Sequence, residues 1–152
     1  MDPTYEIVPG RSIGPFELGM TRDQVEGLDV RPMERLRNGE VYFPLVPMTP
    51  AELAREQGPR SGVTVSFDAD DRCREIEALF DYWKEPPVFS FLGEVVNGMK
   101  YARSVKLLKS IAGDVKCGYG SVSSASAGVR ATMWEVTDEA IMCMSVRPAV
   151  KG

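Results

Sequence analysis

The chain has 152 residues, 43% of them hydrophobic and 26% charged, a composition typical of one folded domain that buries a core. Its formal net charge of −4 argues against binding to a nucleic-acid backbone, which needs a concentrated basic surface, and instead suits a basic protein partner. No apolar run approaches the ~20 residues of a membrane helix. The opening MDPTYEIVPG lacks a secretory pattern, so we expect a cytoplasmic protein with no membrane or nucleic-acid partner.

The three cysteines, Cys73, Cys117 and Cys143, are an odd set without the spacing of metal ligands. Such a set is typical of reduced thiols in the cytosol, and we interpret all three as small buried residues. The acidic segment 68–71 resembles the start of a calcium loop. Because Cys73 and Leu79 occupy the sixth and twelfth positions, where such a loop needs Gly and Glu, the segment predicts a hairpin turn and no metal site.

The first half of the chain combines turn residues, two helix signals and one hairpin signal. Residues 5–18 predict a short extended segment with a turn, and Thr21 with Gln24 forms a capping box that begins a helix. The prolines in segment 41–48 predict an edge strand or an ordered loop. Segment 49–58 predicts a short helix, and apolar and polar residues alternate through 62–80 as in a β-hairpin.

A Pro-Pro pair at 86–87 marks the start of the second half. Residues 95–112 have apolar side chains at helical spacing and predict an amphipathic helix. The segment GYGSVSSASAG lacks the lysine of a phosphate-binding loop and predicts a mobile connection, and segment 128–146 alternates as a second hairpin.

Two dipeptides recur at matching places in the two halves and suggest an internal duplication, although chance recurrence is the alternative. They are Gly19-Met20 with Gly98-Met99, and Gly62-Val63 with Gly128-Val129. We therefore predict one α+β domain over 1–152, with repeats at about 5–83 and 88–147. Each repeat would be a helix plus a β-hairpin, with both helices packed on one face of a mostly antiparallel sheet.

The blocks IVPGRSIGPFELGMTRDQV and GVTVSFDADDRCREIEALFD resemble the N-terminal region of the phagosome assembly factor family. They also resemble short bacterial proteins with a G-P-F-x-L-G-M start that look like immunity proteins. The Gly-Met-Thr-x-x-x-Val start is similar to BamE/SmpA-like and β-lactamase-inhibitor-like domains, whose helix-hairpin units form a sheet that grips a protein partner. The chain lacks the lipoprotein signal and lipid-attachment cysteine of outer-membrane BamE proteins, so that role is not transferred.

Histidine is absent from the sequence, which removes the commonest general base and metal ligand. Glu75 and Glu77 fall on one side of a strand and have the form of an acid/base pair, but such pairs are more often a solvated face. We therefore predict no enzyme activity, no catalytic residues and no cofactor.

Six residues are predicted to contact a partner, because aromatic and charged side chains outside the core are typical of interface anchors. They are Trp83, Trp134, Glu75, Glu77, Arg130 and Tyr119. The alternative for the two tryptophans is ordinary packing. The resemblance to immunity proteins implies that the chain binds and neutralises a cognate bacterial toxin. The alternatives are a structural or adaptor module, homodimeric through a sheet edge or segment 41–48, and a small-ligand binding protein.

Overall fold

A computed structural model of the chain describes residues 4–30, 33–44, 62–80, 88–133 and 140–150. The strands in chain order are β1 (Thr4–Val8), β2 (Ser12–Ile13), β3 (Phe16–Glu17), β4 (Glu34–Arg35), β5 (Val41–Pro44), β6 (Gly62–Phe67), β7 (Cys73–Leu79), β8 (Val88–Phe91), β9 (Glu94–Val95), β10 (Lys116–Gly118), β11 (Ser121–Ser124), β12 (Val129–Met133) and β13 (Ile141–Val146). The described helices are α1 (Arg22–Glu26), before β4, and α2 (Tyr101–Ile111), before β10. Neither has the length and apolar character needed to cross a membrane.

The described part of the chain is mostly β-structure, with 49% of its residues in strands and 14% in helices. The strands form a five-stranded sheet in the order β3-β2-β1-β8-β9 and an eight-stranded sheet in the order β10-β11-β12-β13-β7-β6-β5-β4. The predicted α+β fold, with two helices on one face of a single sheet, is therefore wrong. Strands of two to four residues are too short to show an alternating pattern, so their sequences predicted turns or loops.

The eight-stranded sheet is antiparallel throughout and joins both halves of the chain. Strands β4 to β7 lie on one side, β10 to β13 lie on the other, and β7 pairs with β13 at the junction. In the five-stranded sheet, β1 and β8 pair in parallel, with Thr4 opposite Val88 and Ile7 opposite Phe91. Both sheets therefore tie the N-terminal half to the C-terminal half.

The predicted helix-plus-hairpin repeat is wrong. Each described helix precedes four antiparallel strands rather than two, because β4 with β5 and β10 with β11 widen the sheet beyond the predicted hairpins. The two helices also differ, since α1 has five residues with a capping box and α2 has eleven residues with no side-chain cap at Lys100.

The core lies between the two sheets. Phe16 of the five-stranded sheet contacts Phe43 of the eight-stranded sheet, with ring centroids 4.7 Å apart. Phe89 similarly packs against Phe80, which follows β7, at 5.8 Å. All four rings are 1% exposed or less, so one face of each sheet is removed from water by the other. Helix α2 contacts β11 and β12, and its Leu107 and Leu108 are buried.

The capping box at α1 is confirmed. The Gln24 backbone nitrogen donates to the Thr21 hydroxyl at 3.2 Å, and the Thr21 backbone nitrogen donates to the Gln24 side chain at 2.9 Å. Arg22 then anchors this short helix to the eight-stranded sheet. Its guanidinium pairs with Asp71 at 3.0 Å, donates to the Gly39 carbonyl at 2.8 Å, and lies 4.2 Å from the centre of the Phe67 ring.

The two predicted hairpins are confirmed as the strand pairs β6–β7 and β12–β13, although the turn of the second lies outside the described residues. The 68–71 turn is also confirmed, and the Asp68 carboxylate accepts backbone hydrogen bonds from Asp70 and Arg72. Helix α2 begins later than predicted. Gly93 and Gly98 have φ of +82° and +79°, and these turns place Val95 in β9, where it is 53% exposed.

Two loop predictions are wrong. The segment predicted as a mobile connection forms β10, β11 and a tight turn. Segment 41–48 begins with β5, which lies between β4 and β6 and is therefore not an edge strand. The remainder of that segment and the helix predicted for 49–58 lie outside the described residues.

Candidate functional site

The candidate site is the outer face of the eight-stranded sheet, which we define as the face turned away from the five-stranded sheet. Side chains alternate along each strand, so the buried Ile76 and Ala78 assign Glu75 and Glu77 to the outer face. One row across this face follows directly from the strand register. It runs Lys116, Ser123, Arg130, Ser145, Glu77, Thr64, Tyr42 and Glu34.

Three glutamates form an acidic region around the middle of the outer face. Burial raises the pKa of the Glu77 carboxyl above its usual value, and the charges of Glu75 and Glu40 raise it further. The hydroxyl of Ser66, opposite Glu75 in the ladder, donates to Glu40. Glu77 therefore holds its negative charge at a cost in free energy, which a cation from outside the chain would offset.

Two arginines lie beside these carboxylates. Arg147 forms an ion pair with Glu75 through its Nε atom, and Arg130 faces Ser145 directly across the β12–β13 pair. The charges of Arg130 and Arg147 lower the pKa of Glu77, and thus partly oppose the effect of burial. The outer face consequently changes from acidic at β7 to basic at β12 within two strand spacings, about 10 Å.

A groove of about 260 Å³ opens at the basic end of this face. Its polar lining comes from two arginines and three serines. Its remaining lining comes from the β11–β12 turn, the first residue of β12 and the segment that follows β13. The lining residues are Ser123, Ser124, Ala125, Gly128, Val129, Arg130, Ser145, Arg147, Pro148 and Val150.

The β11–β12 turn beside the groove is held in place by Asp114, which follows α2. The Asp114 carboxylate accepts hydrogen bonds from the hydroxyls of Ser124 and Ser126, both at 2.5 Å, and from the Ser126 backbone nitrogen at 2.9 Å. These hydrogen bonds hold the pKa of Asp114 well below its usual range. One wall of the groove is therefore fixed by a local polar network.

The predicted partner-binding residues separate into three groups. Glu75, Glu77 and Arg130 lie on the outer face within one patch, and the register puts Ser145 between Arg130 and Glu77. Tyr119 is 92% exposed but belongs to the β10–β11 turn, at one edge of the sheet and away from that patch. The predicted anchors Trp83 and Trp134 lie outside the described residues.

Sequence reasoning missed Glu40, Ser145 and Arg147. Ser145 and Arg147 share the parity of Cys143 along β13, so the alternation of the last hairpin would have assigned them to the outer face. Glu40 has no such signal. It approaches Glu77 only because β5 pairs with β6, and 17 residues separate the two strands along the chain.

The interpretation of the cysteines as buried residues is right for one of them and wrong for another. Cys73 is buried, and this burial raises the pKa of its thiol to about 12. Cys143 is partly buried, and burial raises the pKa of its thiol to about 11. Cys117 is exposed on β10. Over the described ranges, no cluster of three or more Cys, Asp or Glu side chains is arranged to hold a metal ion.

Comparison of the chain with models of protein families, with curated proteins and with solved structures gives no match.

Proposed function

We propose that this chain is a non-enzymatic cytoplasmic protein-binding domain, and that it acts as an immunity protein which binds a basic bacterial toxin through the outer face. The observation that carries the proposal is the position of Glu77, within reach of the charges of both Glu75 and Glu40, near the middle of a broad sheet face. The resemblance of the G-P-F-x-L-G-M region to immunity proteins directs the choice of partner.

The electrostatics of the acidic region favour a cationic partner group. Glu77 is partly removed from water while two other carboxylates act on it, so its charge is poorly compensated within the described residues. A lysine or arginine from a toxin would replace that repulsion with attraction. Complementary charge of this kind mainly increases the association rate and the specificity, as expected for an inhibitor that must capture its target quickly.

The dimensions of the outer face also suit a protein partner. Eight strands at spacings of about 4.8 Å span about 34 Å. A stable interface of standard size buries about 800 Å² on each partner, which a square patch with sides of about 28 Å provides. The outer face is wide enough for such an interface across the strands. Its longest strand, β7, has seven residues and spans about 23 Å, so the loops at the strand ends would complete the interface.

The test is binding and neutralisation of the toxin encoded beside this gene. We expect the purified proteins to form a one-to-one complex, and Glu77→Lys to weaken that complex at least tenfold, since it places a cation against a cation. Glu17→Lys is the matched control. It makes the same charge change at an exposed position on β3, in the other sheet.

Glu77→Gln is a second variant that keeps the test valid if the lysine variant misfolds, because it removes the charge with little change in shape. We expect it to weaken binding less than Glu77→Lys does. Equal binding by Glu77→Lys and the unsubstituted protein would show that this face is not the contact surface. Survival of cells that express the toxin without this protein would contradict the immunity function itself.

A second candidate, a homodimeric structural or adaptor module, is favoured by β10. All three residues of this edge strand are exposed, and Tyr119 stands beside it. An exposed edge offers unpaired backbone groups to a second strand. A dimer mass in solution that Tyr119→Glu converts to a monomer would support this candidate, and a monomer at all concentrations would contradict it.

A further inference from the structure

The groove next to the β11–β12 turn combines cationic, hydroxyl and apolar linings in a small volume. Arg130 and Arg147 stand on neighbouring strands, two positions apart along the outer face, since Arg130 is opposite Ser145. Side chains in such diagonal positions are about 7–8 Å apart at their base, so two long guanidiniums can converge on one group. Ser145, which is 6% exposed, is directly opposite Arg130 and two residues before Arg147, and it also lines the groove.

This arrangement suits a planar anion. A guanidinium presents five N–H donors, and the ion pair of Arg147 with Glu75 uses the Nε atom, which leaves the Nη donors for another acceptor. Arg130 on β12 is exposed and supplies a second set of guanidinium N–H donors. Arginine is particularly suited to carboxylates, because its donors match two carboxylate oxygens at once.

The acidic region sets a limit on where such an anion can bind. Glu75 and Glu77 are on β7, on the far side of β13 from Arg130. An anion on the β12 side of Ser145 is therefore closer to Arg130 than to either glutamate. The groove lining includes Ser123 and the β11–β12 turn but neither Glu75 nor Glu77, so its position favours the arginines over the carboxylates.

Part of the groove lining is apolar. Ala125 and Pro148 belong to it, and so does Val150, which is 61% exposed although its backbone nitrogen donates to the Ala125 carbonyl at 2.9 Å. An apolar side chain that is held in water in this way gains by contact with an apolar group. A lining that combines two arginines with these apolar residues suits a ligand that is both anionic and apolar.

We propose that this groove binds a carboxylate attached to a short apolar group, with the carboxylate at Arg130, Arg147 and Ser145 and the apolar group against Pro148 and Val150. Such a ligand is either a free small carboxylic acid or the C-terminal residue of a peptide. A volume of about 260 Å³ accommodates one residue of this kind. This site lies on the same face as Glu77 but is argued from different residues. The titration with a small ligand needs no toxin, so either proposal stands if the other fails.

The experiment is a titration of the ¹⁵N-labelled full chain with N-acetyl-leucine, followed by NMR. We expect the amide signals of Ser123, Arg130, Ser145 and Arg147 to shift together and to saturate. N-acetyl-leucinamide is the matched neutral ligand and should leave these signals unmoved. Arg130→Gln should weaken binding about tenfold, the loss expected for a charge-assisted hydrogen bond worth about 1.4 kcal/mol.

Arg103→Gln is the control variant, because Arg103 is an exposed arginine on α2 whose ion pair is with Glu94. It should bind N-acetyl-leucine as the unsubstituted chain does. A peptide Gly-Gly-Gly-Leu with a free C-terminus distinguishes the two sources. Tighter binding than N-acetyl-leucine identifies a chain end as the ligand, and equal binding identifies a small acid.

Three outcomes would overturn the proposal. The first is equal binding of the neutral amide, which would mean that the arginines do not recognise the charge. The second is an equal response to inorganic phosphate, which would mean that the apolar part of the groove lining contributes nothing. The third is unchanged binding in Arg130→Gln, checked as folded by its NMR spectrum.

Discussion

The backbone nitrogen of Gly10 donates a hydrogen bond to the carbonyl oxygen of Gly128 at 3.2 Å, and this contact joins the two sheets. Gly10 belongs to the β1–β2 turn of the five-stranded sheet, and Gly128 belongs to the β11–β12 turn of the eight-stranded sheet. Both residues have a φ of +67°. A side chain at Gly128 would lie 2.2 Å from the Arg147 carbonyl oxygen and 2.8 Å from the Gly10 Cα atom.

We expect Gly128→Ala to destabilise the protein strongly, because it adds a steric clash to an unfavourable backbone conformation. Gly98→Ala is the matched control. Gly98 also has a positive φ, +79°, but a Cβ atom there meets nothing within 4 Å. The control should lower the free energy of unfolding by about 1–2 kcal/mol, because of its backbone conformation alone. Gly128→Ala should lower it by about 1–3 kcal/mol more, because of the steric clash. Urea unfolding measures both, and equal losses would contradict the close approach.

The capping box gives the second prediction. Thr21→Ala removes the hydroxyl that accepts the Gln24 backbone N–H, and should lower the free energy of unfolding by about 1 kcal/mol. Thr21→Ser keeps a hydroxyl at the same position and should stay close to the unsubstituted protein. The readout is the midpoint of urea unfolding. An alanine variant as stable as the serine variant would show that the cap is unimportant in this fold.

Local signals in the sequence were reliable where the structure that they specify is also local. Thr21 and Gln24 are three residues apart, and the alternation through β6 and β7 needs only one turn to become a hairpin. The local signal was misleading in segment 121–124. Its serines indicated a loop, yet Asp114 binds Ser124 from outside the segment and Val122 is fully buried. A strand whose serine hydroxyl is satisfied by a carboxylate outside the strand cannot be recognised from its own residues.

The candidate site could be predicted only in part, for a related reason. Alternation within one strand correctly assigned Glu75 and Glu77 to the same face. The row from Arg130 through Ser145 to Glu77 depends instead on the pairing of β13 with β7, two strands that are far apart in the sequence. No residue pattern within either strand specifies which distant strand becomes its neighbour.

Asp114 gives a prediction about pH. Its pKa is lowered in the folded state by hydrogen bonds from Ser124 and Ser126, whereas in the unfolded chain it returns to about 3.9. The resulting stabilisation is present above the unfolded-state pKa and disappears as the pH falls through the lower folded-state value. Asp114→Asn should therefore be less stable than the unsubstituted protein at neutral pH, and the difference should narrow below about pH 4.

Unfolding curves at several pH values measure this effect. Asp70→Asn is the control, because Asp70 is an exposed aspartate in the 68–71 turn whose backbone nitrogen makes the hydrogen bond to Asp68. It should change stability little at any pH. A stability difference for Asp114→Asn that stays constant from neutral pH into acid would show that the carboxylate charge has no part in holding the β11–β12 turn.

Glu77 gives the opposite pH dependence, because its folded-state pKa is raised by burial and by Glu75 and Glu40. The folded protein then binds this proton more tightly than the unfolded chain does. The loss of stability caused by the ionised Glu77 is absent below the unfolded-state pKa of about 4.3, and it develops as the pH rises through the folded-state pKa. Glu77→Gln should therefore have a higher Tm than the unsubstituted protein at neutral pH, and the difference should vanish in acid.

Titration of the Glu77 side chain by ¹³C NMR tests the cause directly, since its neighbours act in opposite directions. Glu40→Gln should lower the Glu77 pKa because it removes a like charge, and Arg130→Gln should raise it because it removes an opposite charge. Burial alone would leave the pKa unchanged in both variants. Shifts of opposite sign would show that the acidic and basic regions of the outer face act on the same carboxylate, which is the property that a charged partner would exploit.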